Sequence, residues 1–405
     1  MKCGLLGRKL GHSYSPAIHA RLGEYQYVLY EKEPAELEAF LRNGDWDGLN
    51  VTMPYKKAVI PYLDGLTDTA ATVGAVNTIY RQNGKRIGHN TDFYGFQQML
   101  LCSRLHPQGK KCLVLGSGGA SDVAVRVLKD AGGNVVVISR SGENNYSNLD
   151  RHKDAAIMIN ATPVGMYPQT GVAPLDLKQF PQLEGVLDVI YNPARTKLLM
   201  DAEQHGLVTM NGLWMLVMQA KESAERFMNH PIEAEHAKDI YNSLRRQMEN
   251  IILIGMPGCG KSTIGRLVAE KLGKNFVDTD AEIEKKAQKN IPRIFAEDGE
   301  AAFRSLETEV LAQFGRQSGL VIATGGGCVT KADNYPLLHQ NGTIFWLQRD
   351  LKKLPTEGRP LSTDLVGMYD VRKPLYASFA DHTVDNNTTL QETTAQILAY
   401  WEEKT

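Results

Sequence analysis

The chain has 405 residues, of which 42% are hydrophobic and 22% are charged, values typical of globular domains. This length allows two or three hydrophobic cores at roughly 100–200 residues each. The formal net charge is −1, so bulk charge gives no reason to expect a nucleic-acid or membrane-surface partner. The five cysteines are scattered without a CxxC pair, and no apolar run approaches the roughly 18 residues of a membrane span. These features predict a cytoplasmic protein with reduced thiols.

Four polar clusters interrupt apolar patterns in the first 100 residues, and they read GHSYSPAIH, GLNVTMPYKKAV, GAVNTIY and GHNTDFYGF. They place hydroxyls, amides, a lysine and a carboxylate at strand ends or loop starts, where open α/β sheets bind their ligands. Lys56 and Asp92 are the natural acid/base candidates, because reduction of a ketone needs a proton donor at the developing alkoxide. Two unrelated surface charges are the alternative.

A glycine-rich turn follows in CLVLGSGGASDVAVRVL, between an apolar strand and a helix. Gly116, Gly118 and Gly119 in that context predict a dinucleotide pyrophosphate site. The next strand ends in Ser139, Arg140 and Ser141 instead of an acidic residue. Arginine at this place suits the 2′-phosphate of NADP, although an arginine on a solvated turn is the alternative.

In order and content, HSYSP, NVTMPYK, GAVNT, NTD, NATPVGM and NGLWMLVMQA resemble shikimate dehydrogenase over about residues 1–245. The resemblance implies a substrate domain at 1–100, completed by helices within 211–245, and a Rossmann-type NADP domain at 101–210. The implied substrate residues are Ser13, Ser15, Thr52, Lys56, Asn77, Asp92, Tyr191 and Gln219. The implied NADP residues are Gly116, Ser117, Gly118, Gly119, Ala120, Ser139, Arg140, Ser141, Asn160, Ala161, Thr162, Gly212 and Met215.

A domain boundary is expected near residue 249, where the helical IEAEHAKDIYNSLRRQMEN runs directly into the apolar IILIGM. The following GMPGCGKST fits GxxxxGK[ST] between a strand and a helix, which predicts nucleoside triphosphate binding. In such a loop the backbone N–H groups surround phosphates, Lys261 reaches the β- and γ-phosphates, and Ser262 ligates Mg²⁺. The predicted ATP residues here are Gly258, Cys259, Gly260, Lys261, Ser262 and Thr263.

The segment FVDTD places Asp278 and Asp280 two residues apart, so the two are predicted to share one face of a strand. One carboxylate would serve the Mg²⁺ shell and the other an acceptor hydroxyl. The alternative is a purely structural role, in which Asp280 caps the next helix. Arg304 follows a predicted turn at Gly299, and a helix-borne arginine is by itself usually a solvated surface group.

The run VIATGGGCV ends a strand in Gly325, Gly326 and Gly327, which permits close approach of a small ligand unless the loop is merely flexible. The phosphate loop, DTD, FxExGExxFRxxE and GGG together resemble shikimate kinase over residues 250–405. The resemblance implies a parallel P-loop domain similar to nucleoside-monophosphate kinases. It assigns Asp280 as candidate base, Arg304 and Arg372 to the substrate carboxylate, Arg359 to the ATP lid, and Ser262 with Asp278 to the metal.

The two resemblances concern consecutive reactions, so each supports the other. They imply a bifunctional enzyme that reduces 3-dehydroshikimate with NADPH and phosphorylates the resulting shikimate to shikimate 3-phosphate with ATP and Mg²⁺. The alternatives are a quinate-type dehydrogenase joined to a kinase for another polyol acid, such as gluconate, and a metabolite-sensing regulator built from enzyme domains. A regulator should have lost catalytic groups or gained a basic DNA-binding segment. Here the catalytic candidates are all present.

Overall fold

The structure is a computed structural model that describes residues 1–11, 13–354 and 365–403. It divides into two compact units. Unit one comprises Met1–Val164, Pro174–Tyr191 and Asp201–Ser243, and unit two comprises Gly165–Ala173, Asn192–Met200 and Leu244–Thr405. None of the helices in the described ranges is both long and apolar enough to cross a bilayer.

The first sheet of unit one has the strand order β2-β1-β3-β5-β6-β4. Its strands are β1 (Lys2–Gly7), β2 (Gln26–Glu31), β3 (Gly48–Val51), β4 (Gly65–Leu66), β5 (Thr78–Gln82) and β6 (Lys85–His89). The accompanying helices are α1 (Ser15–Leu22), α2 (Leu37–Asn43), α3 (Asp68–Val73) and α4 (Thr91–Ser103). Short apolar runs alternate with helical patterns in this part of the sequence, which predicts a parallel sheet with crossover helices. In the structure, however, β5 runs antiparallel to both β3 and β6. A two-residue turn joins β5 to β6 directly, and so short a connection permits only antiparallel pairing.

The second sheet of unit one is entirely parallel, with the order β11-β10-β9-β7-β8. Its strands are β7 (Lys111–Leu115), β8 (Asn134–Ile138), β9 (Ile157–Asn160), β10 (Gly185–Asp188) and β11 (Val208–Asn211). The helices that follow in this part of the chain are α5 (Gly119–Asp130), α6 (Lys197–Gln204), α7 (Leu213–Met228) and α8 (Ala234–Met248). Strand β7 lies where the order reverses between β8 and β9, which is the position at which open parallel sheets bind ligands.

The third sheet belongs to unit two and is also parallel, with the order β13-β14-β12-β15-β16. Its strands are β12 (Asn250–Ile254), β13 (Asn275–Asp278), β14 (Leu320–Ala323), β15 (Gly342–Gln348) and β16 (His382–Asp385). Its helices are α9 (Lys261–Leu272), α10 (Thr279–Ala287), α11 (Ile291–Glu297), α12 (Gly299–Gly315), α13 (Asn334–His339), α14 (Leu365–Phe379) and α15 (Leu390–Glu403). The fully buried β12 is the central strand, as its run of apolar residues predicts.

The compact units group the chain differently from the three predicted domains. Most of both predicted dehydrogenase domains lies in unit one, and two short segments before residue 244 belong to unit two. In one of them, the backbone N–H of Ala194 donates to Asn341 Oδ1 at 2.8 Å, and that of Arg195 donates to the Gln340 carbonyl at 2.8 Å. The Arg195 guanidinium also donates to the His339 carbonyl at 3.0 Å. These bonds explain why the segment groups with β15 and α13.

Helix α7 packs against α1, α4 and β5 of unit one. The closest approach occurs at Gly95 in α4, where an added Cβ atom would lie 2.7 Å from the Met215 carbonyl oxygen and 3.0 Å from Gln219 Cβ. A glycine therefore allows α7 to lie directly on α4. This contact fixes the position of the part of α7 that carries Met215 and Gln219.

Gly95→Ala is expected to lower the free energy of unfolding by about 1–2 kcal/mol. Overpacking typically costs about 1–3 kcal/mol, which outweighs the 0.5–1 kcal/mol that alanine gains over glycine within a helix. Urea denaturation measures the change. Cys102→Ala, at an exposed position of the same helix, should stay within about 0.5 kcal/mol of the parent protein. Equal or greater stability of Gly95→Ala would show that the two helices separate without cost.

Candidate functional site

A lysine–aspartate pair lies at the centre of a pocket in unit one. Lys56 Nζ donates to Asp92 Oδ2 at 2.5 Å, and the two side chains are only 27% and 15% exposed. Asp92 lies in the first turn of α4, and Asn90 caps that helix by accepting a hydrogen bond from the Phe93 N–H. The cap fixes the start of the helix and hence the direction of the Asp92 side chain. The proton-donor candidate is therefore held in place by its carboxylate partner.

All eight predicted substrate residues line this one cavity, whose volume is about 290 Å³. Three predicted cofactor residues line it as well, namely Ala120, Gly212 and Met215. The cavity also has apolar lining residues that the sequence analysis did not identify, namely Leu5, Val51, Val189 and Leu216. A small polar molecule and the reactive end of a dinucleotide can thus meet beside Lys56. The individual roles of these residues stay predictions.

A buried hydroxyl and amide network supports the pocket from behind, and sequence reasoning missed most of it. Ser223 Oγ accepts a hydrogen bond from Asn50 Nδ2 at 2.7 Å and lies 2.9 Å from Thr78 Oγ1 and 3.1 Å from Thr91 Oγ1. Asn77 Oδ1 accepts from the Thr91 N–H at 2.7 Å. Because these groups satisfy one another away from water, they hold β3, β5, α4 and α7 in one arrangement.

The glycine turn after β7 has the geometry of a phosphate site. Gly116 has φ +109°, and an added Cβ atom would lie 2.9 Å from the Ala161 carbonyl oxygen. At Gly118 and Gly119 an added Cβ atom would meet no atom within 4 Å, so the backbone there borders open space. Helix α5 begins at Gly119, and its first N–H groups and positive dipole end favour an anion such as a pyrophosphate. These residues fit a dinucleotide.

Asn160, a predicted cofactor residue, ends β9 in a buried hydrogen-bond cluster. Its side chain is fully buried, donates to both Asp188 carboxylate oxygens at 3.1 Å, and accepts from Thr162 Oγ1 at 2.7 Å. These bonds occupy the polar atoms of the side chain, and the assignment of Asn160 to the cofactor site stays a prediction. Asn160 shapes the turn that carries Ala161 and Thr162, and both of those residues are partly exposed.

The adenosine side of the predicted cofactor site lies after β8. Arg140 and Ser141 are exposed there, and Ser139 is partly buried. Positions 139–141, directly after β8, carry no carboxylate, and the nearest acidic residue along the chain is Glu143.

The phosphate loop of unit two connects β12 to α9. Gly258 and Gly260 have φ +82° and +96°, a backbone conformation that requires glycine, while Cys259 is buried and Thr263 exposed. Lys261 Nζ donates to the carbonyls of Gly255 and Met256 at 2.9 and 3.0 Å, inside the curve of the loop. These two bonds hold the ammonium group against the backbone of the loop.

Asp278 and Asp280 have distinct positions. Strand β13 ends at Asp278, and Asp280 lies in the first turn of α10, so the two do not share a strand face. Asp278 is the helix cap, accepting from the Asp280 N–H at 3.1 Å, and the interpretation of Asp280 as the cap is wrong. Asp278 Oδ2 also accepts from Ser262 Oγ at 2.5 Å. This pair of oxygen ligands is of the kind that Mg²⁺ prefers.

The three glycines after β14 lie beside the carboxylates of Asp280 and Glu307 and beside the phosphate loop. A Cβ atom added at Gly325 would lie 2.7 Å from Asp280 Oδ1 and 2.8 Å from Glu307 Oε1. At Gly326 it would lie 2.6 Å from Pro257 Cδ in the phosphate loop. The glycine run therefore lets two carboxylates and the phosphate loop approach one short backbone segment.

Two arginines reach the same segment. A Cβ atom added at Gly327 would lie 2.4 Å from Arg304 Nη1, and Arg372 Nη1 donates to the Gly326 carbonyl at 3.2 Å. Arg304 also forms an ion pair with the buried Glu307 at 2.8 Å. Sequence reasoning placed Glu307 only within a motif, yet this carboxylate orients the arginine. Arg359 lies outside the described residues.

The electrostatics of this pocket favour a proton acceptor. Burial raises the pKa of Asp280, and the nearby Lys261 ammonium opposes the shift. Burial likewise raises the pKa of Glu307, and Arg304 opposes it. A carboxylate with a raised pKa is a stronger base than one exposed to water, which suits removal of a hydroxyl proton.

Unit one combines a parallel sheet of the dinucleotide-binding type with a pocket that contains a lysine–aspartate pair, as in a dehydrogenase. Unit two combines a phosphate loop with a pocket lined by carboxylates, as in a kinase. The chain is therefore a dehydrogenase followed by a kinase. Residues 5–79 match the sequence model of the shikimate dehydrogenase substrate binding domain, and residues 257–402 match that of shikimate kinase. The chain belongs to the shikimate dehydrogenase family and carries a shikimate kinase domain after it.

Individual relatives agree with this assignment. A shikimate dehydrogenase (NADP(+)) of Clostridium perfringens is 34% identical over 264 residues, which are 60% of this chain and 97% of that protein. One from Symbiobacterium thermophilum is 38% identical over 249 residues, 53% of this chain and 85% of that protein. Among solved structures, a chorismate mutase/shikimate 5-dehydrogenase fusion protein from Clostridium acetobutylicum has a TM-score of 0.57 at 34% identity, covering 60% of this chain and 96% of its own. Shikimate 5-dehydrogenase of Thermus thermophilus, in complex with NADP(H) and shikimate, has a TM-score of 0.54 at 28% identity, covering 60% and 99%.

Gly327→Ala is expected to weaken binding of the kinase acceptor by about 10–100-fold, because the new methyl group displaces Arg304 and charge-assisted hydrogen bonds contribute about 1.5–3 kcal/mol. The φ of Gly327 is −101°, which alanine adopts without strain, so the effect should come from the collision alone. Titrations with the acceptor and with the nucleotide measure the change, and the affinity for the nucleotide should equal that of the parent protein.

Glu300→Gln is the control, since it removes an ion pair of Arg304 whose carboxylate is 67% exposed. If Gly327→Ala weakened nucleotide binding as much as acceptor binding, the glycine would matter for the whole loop and not for Arg304.

Proposed function

We propose that unit one reduces 3-dehydroshikimate to shikimate with NADPH and that unit two phosphorylates shikimate to shikimate 3-phosphate with ATP. The observation that carries the proposal is that each unit brings a full set of reactive groups to one place. In unit one these are Lys56 and Asp92 within the cavity that all eight predicted substrate residues line. In unit two, Asp280, Arg304 and Arg372 meet at the glycine run beside the phosphate loop.

In the reduction, Lys56 places an ammonium proton at the ketone oxygen as negative charge develops on it. Asp92 keeps the ammonium group oriented at 2.5 Å. The hydroxyls of Ser13 and Ser15 suit the substrate carboxylate, and the amides of Asn77 and Gln219 suit ring hydroxyls. NADPH, when bound with its nicotinamide beside Met215, would supply the hydride.

In the phosphorylation, Arg304 and Arg372 hold the carboxylate of shikimate, and this fixes the ring against the glycine run. Asp280 accepts the proton of the attacking hydroxyl. Lys261 neutralises charge on the transferring phosphoryl group, so positioning and electrostatics supply most of the rate enhancement. We include Mg²⁺ in the proposal with Ser262 and Asp278 as the residues that would hold it, and when bound it would supply positive charge that offsets the charge of the phosphates.

A single incubation tests the whole proposal. The full chain, supplied with 3-dehydroshikimate, NADPH, ATP and Mg²⁺, should form shikimate 3-phosphate, detected by mass spectrometry. Omission of NADPH should stop the sequence at the ketone, and omission of ATP should stop it at shikimate. If the dehydrogenase turned over quinate faster than the shikimate pair, or the kinase turned over gluconate faster than shikimate, the proposed substrates would be wrong. A cytoplasmic location is part of the proposal, supported by five cysteines that are all unpaired thiols.

Separate substitutions should silence the two chemistries independently. Lys56→Ala is expected to lower dehydrogenase turnover about 10²–10⁴-fold through loss of the proton donor, with kinase turnover intact. Lys261→Met should abolish phosphoryl transfer and spare the reduction. Initial rates with each substrate pair measure both.

The matched controls are Lys57→Ala, which removes a neighbouring lysine that is 71% exposed, and Lys271→Met, at an exposed position of α9. Near-normal reduction by Lys56→Ala would assign the proton to another group. Loss of both activities in either variant would show that the two sites depend on each other.

Arg140→Asp should shift the cofactor preference from NADPH towards NADH. The replacement removes a cationic partner of the 2′-phosphate and introduces a carboxylate that repels it. The ratio of kcat/KM for the two cofactors measures the shift, and Arg151→Asp, at another exposed position of unit one, should leave it unchanged. An unaltered ratio in Arg140→Asp would remove this residue from the cofactor site.

A further inference from the structure

Arg349 is a cation beside the phosphate loop that the mechanism above does not use. It lies directly after β15 and is partly buried. Its Nε is shielded from solvent and has no hydrogen-bond partner within residues 1–11, 13–354 and 365–403. Among the residues that the structure describes, no carboxylate lies within ion-pair distance of it. An unsatisfied buried donor on a charged group costs free energy, so its retention needs a reason.

The position of Arg349 in the sheet indicates which ligand would satisfy it. Its Nη1 lies 3.8 Å from where a Cβ atom at Gly260 would be, and Gly260 is the residue before α9 in the phosphate loop. The absence of a side chain at Gly260 leaves the space between the guanidinium and the loop backbone free. An anion bound by the N–H groups of the loop would therefore also face Arg349.

The order of the third sheet determines which part of the nucleotide lies there. The loop follows β12 at the centre, and the acceptor groups Asp280 and Gly325 follow β13 and β14 on one side of it. Arg349 follows β15 on the opposite side. Because the γ-phosphate must point towards the acceptor, the α-phosphate and the nucleoside must extend towards β15 and β16.

The surroundings of Arg349 hold the loop on this opposite side. Asn386, which follows β16 and is buried, donates through Nδ2 to the Cys259 carbonyl, and its own N–H donates to the Gln348 carbonyl at 2.8 Å. Asp350, the nearest acidic neighbour in sequence, uses its carboxylate to cap the Lys352 N–H at 3.0 Å. Arg349 is thus left available to a ligand.

We infer that Arg349 contacts the triphosphate of the nucleotide at its α-phosphate end, opposite the acceptor pocket. This inference rests on the proposed kinase function and adds to it a residue that binds the nucleotide. A guanidinium can donate two parallel hydrogen bonds to one phosphate. The side chain would therefore fix the triphosphate along the sheet edge, as well as add positive charge.

The test compares Arg349→Gln with the parent protein, as full chains, by calorimetric titration with MgADP and with magnesium tripolyphosphate. Loss of a charge-assisted hydrogen bond should weaken both ligands about 10-fold or more. Arg349→Lys should recover part of the loss. KM for ATP should rise while KM for shikimate and all dehydrogenase constants stay unchanged. Arg293→Gln, which removes an exposed arginine paired with Glu297 at 2.5 Å, should change nothing.

Unchanged MgADP affinity in Arg349→Gln would overturn the inference. So would weaker MgADP binding with unaltered tripolyphosphate binding, which would assign Arg349 to the base. Equal losses for nucleotide and shikimate, with a lower unfolding midpoint, would reduce it to a structural role. A parent chain that binds MgADP but phosphorylates no shikimate would refute the proposed kinase substrate and leave the binding comparison valid.

Discussion

Polar groups buried behind a binding site must satisfy one another, because the packed interior excludes the water that would otherwise do so. Unit one meets this constraint with the network of Asn50, Asn77, Thr78, Thr91 and Ser223, which joins two strands and two helices behind the substrate cavity. The cavity-facing groups then have one arrangement available to them. The network holds the strands and helices behind the cavity in one arrangement, and this arrangement positions Lys56 and Asp92.

In unit two, two buried carboxylate oxygens of the proposed acceptor pocket leave this constraint unmet. Asp280 Oδ1 and Glu307 Oε1 are buried without a hydrogen-bond partner in the part of the chain that the structure describes. Each such oxygen costs about 1–3 kcal/mol of folding free energy. Carboxylates held in this way are poised for a ligand that brings protons and positive charge. Stability is thus lowered at the point where phosphoryl transfer needs an active base.

Sequence reasoning succeeded where a function demands a local pattern. The positive φ angles of Gly116, Gly258 and Gly260 favour glycine, and the spacing of these glycines is visible in the sequence. It failed where the partner is remote or ambiguous. Ser223 is one serine in an amphipathic helix, and its partner Asn50 lies 173 positions away. Asp278 and Asp280 have the same side chain, and only the end of β13 decides which one caps α10. The grouping of residues 192–200 with unit two depends on hydrogen bonds to His339, Gln340 and Asn341, which no sequence pattern announces.

The glycine run Gly325–Gly327 also bears on how this kinase would respond to drug selection. A side chain at any of the three positions would bring a carbon within 2.7 Å of Asp280, Pro257 or Arg304. An inhibitor that draws its affinity from this stretch of main chain would therefore leave few routes to resistance. The replacements that exclude the inhibitor would also displace groups on which turnover depends. Compounds that rely on neighbouring side chains would not share that advantage, since side chains can be exchanged one at a time.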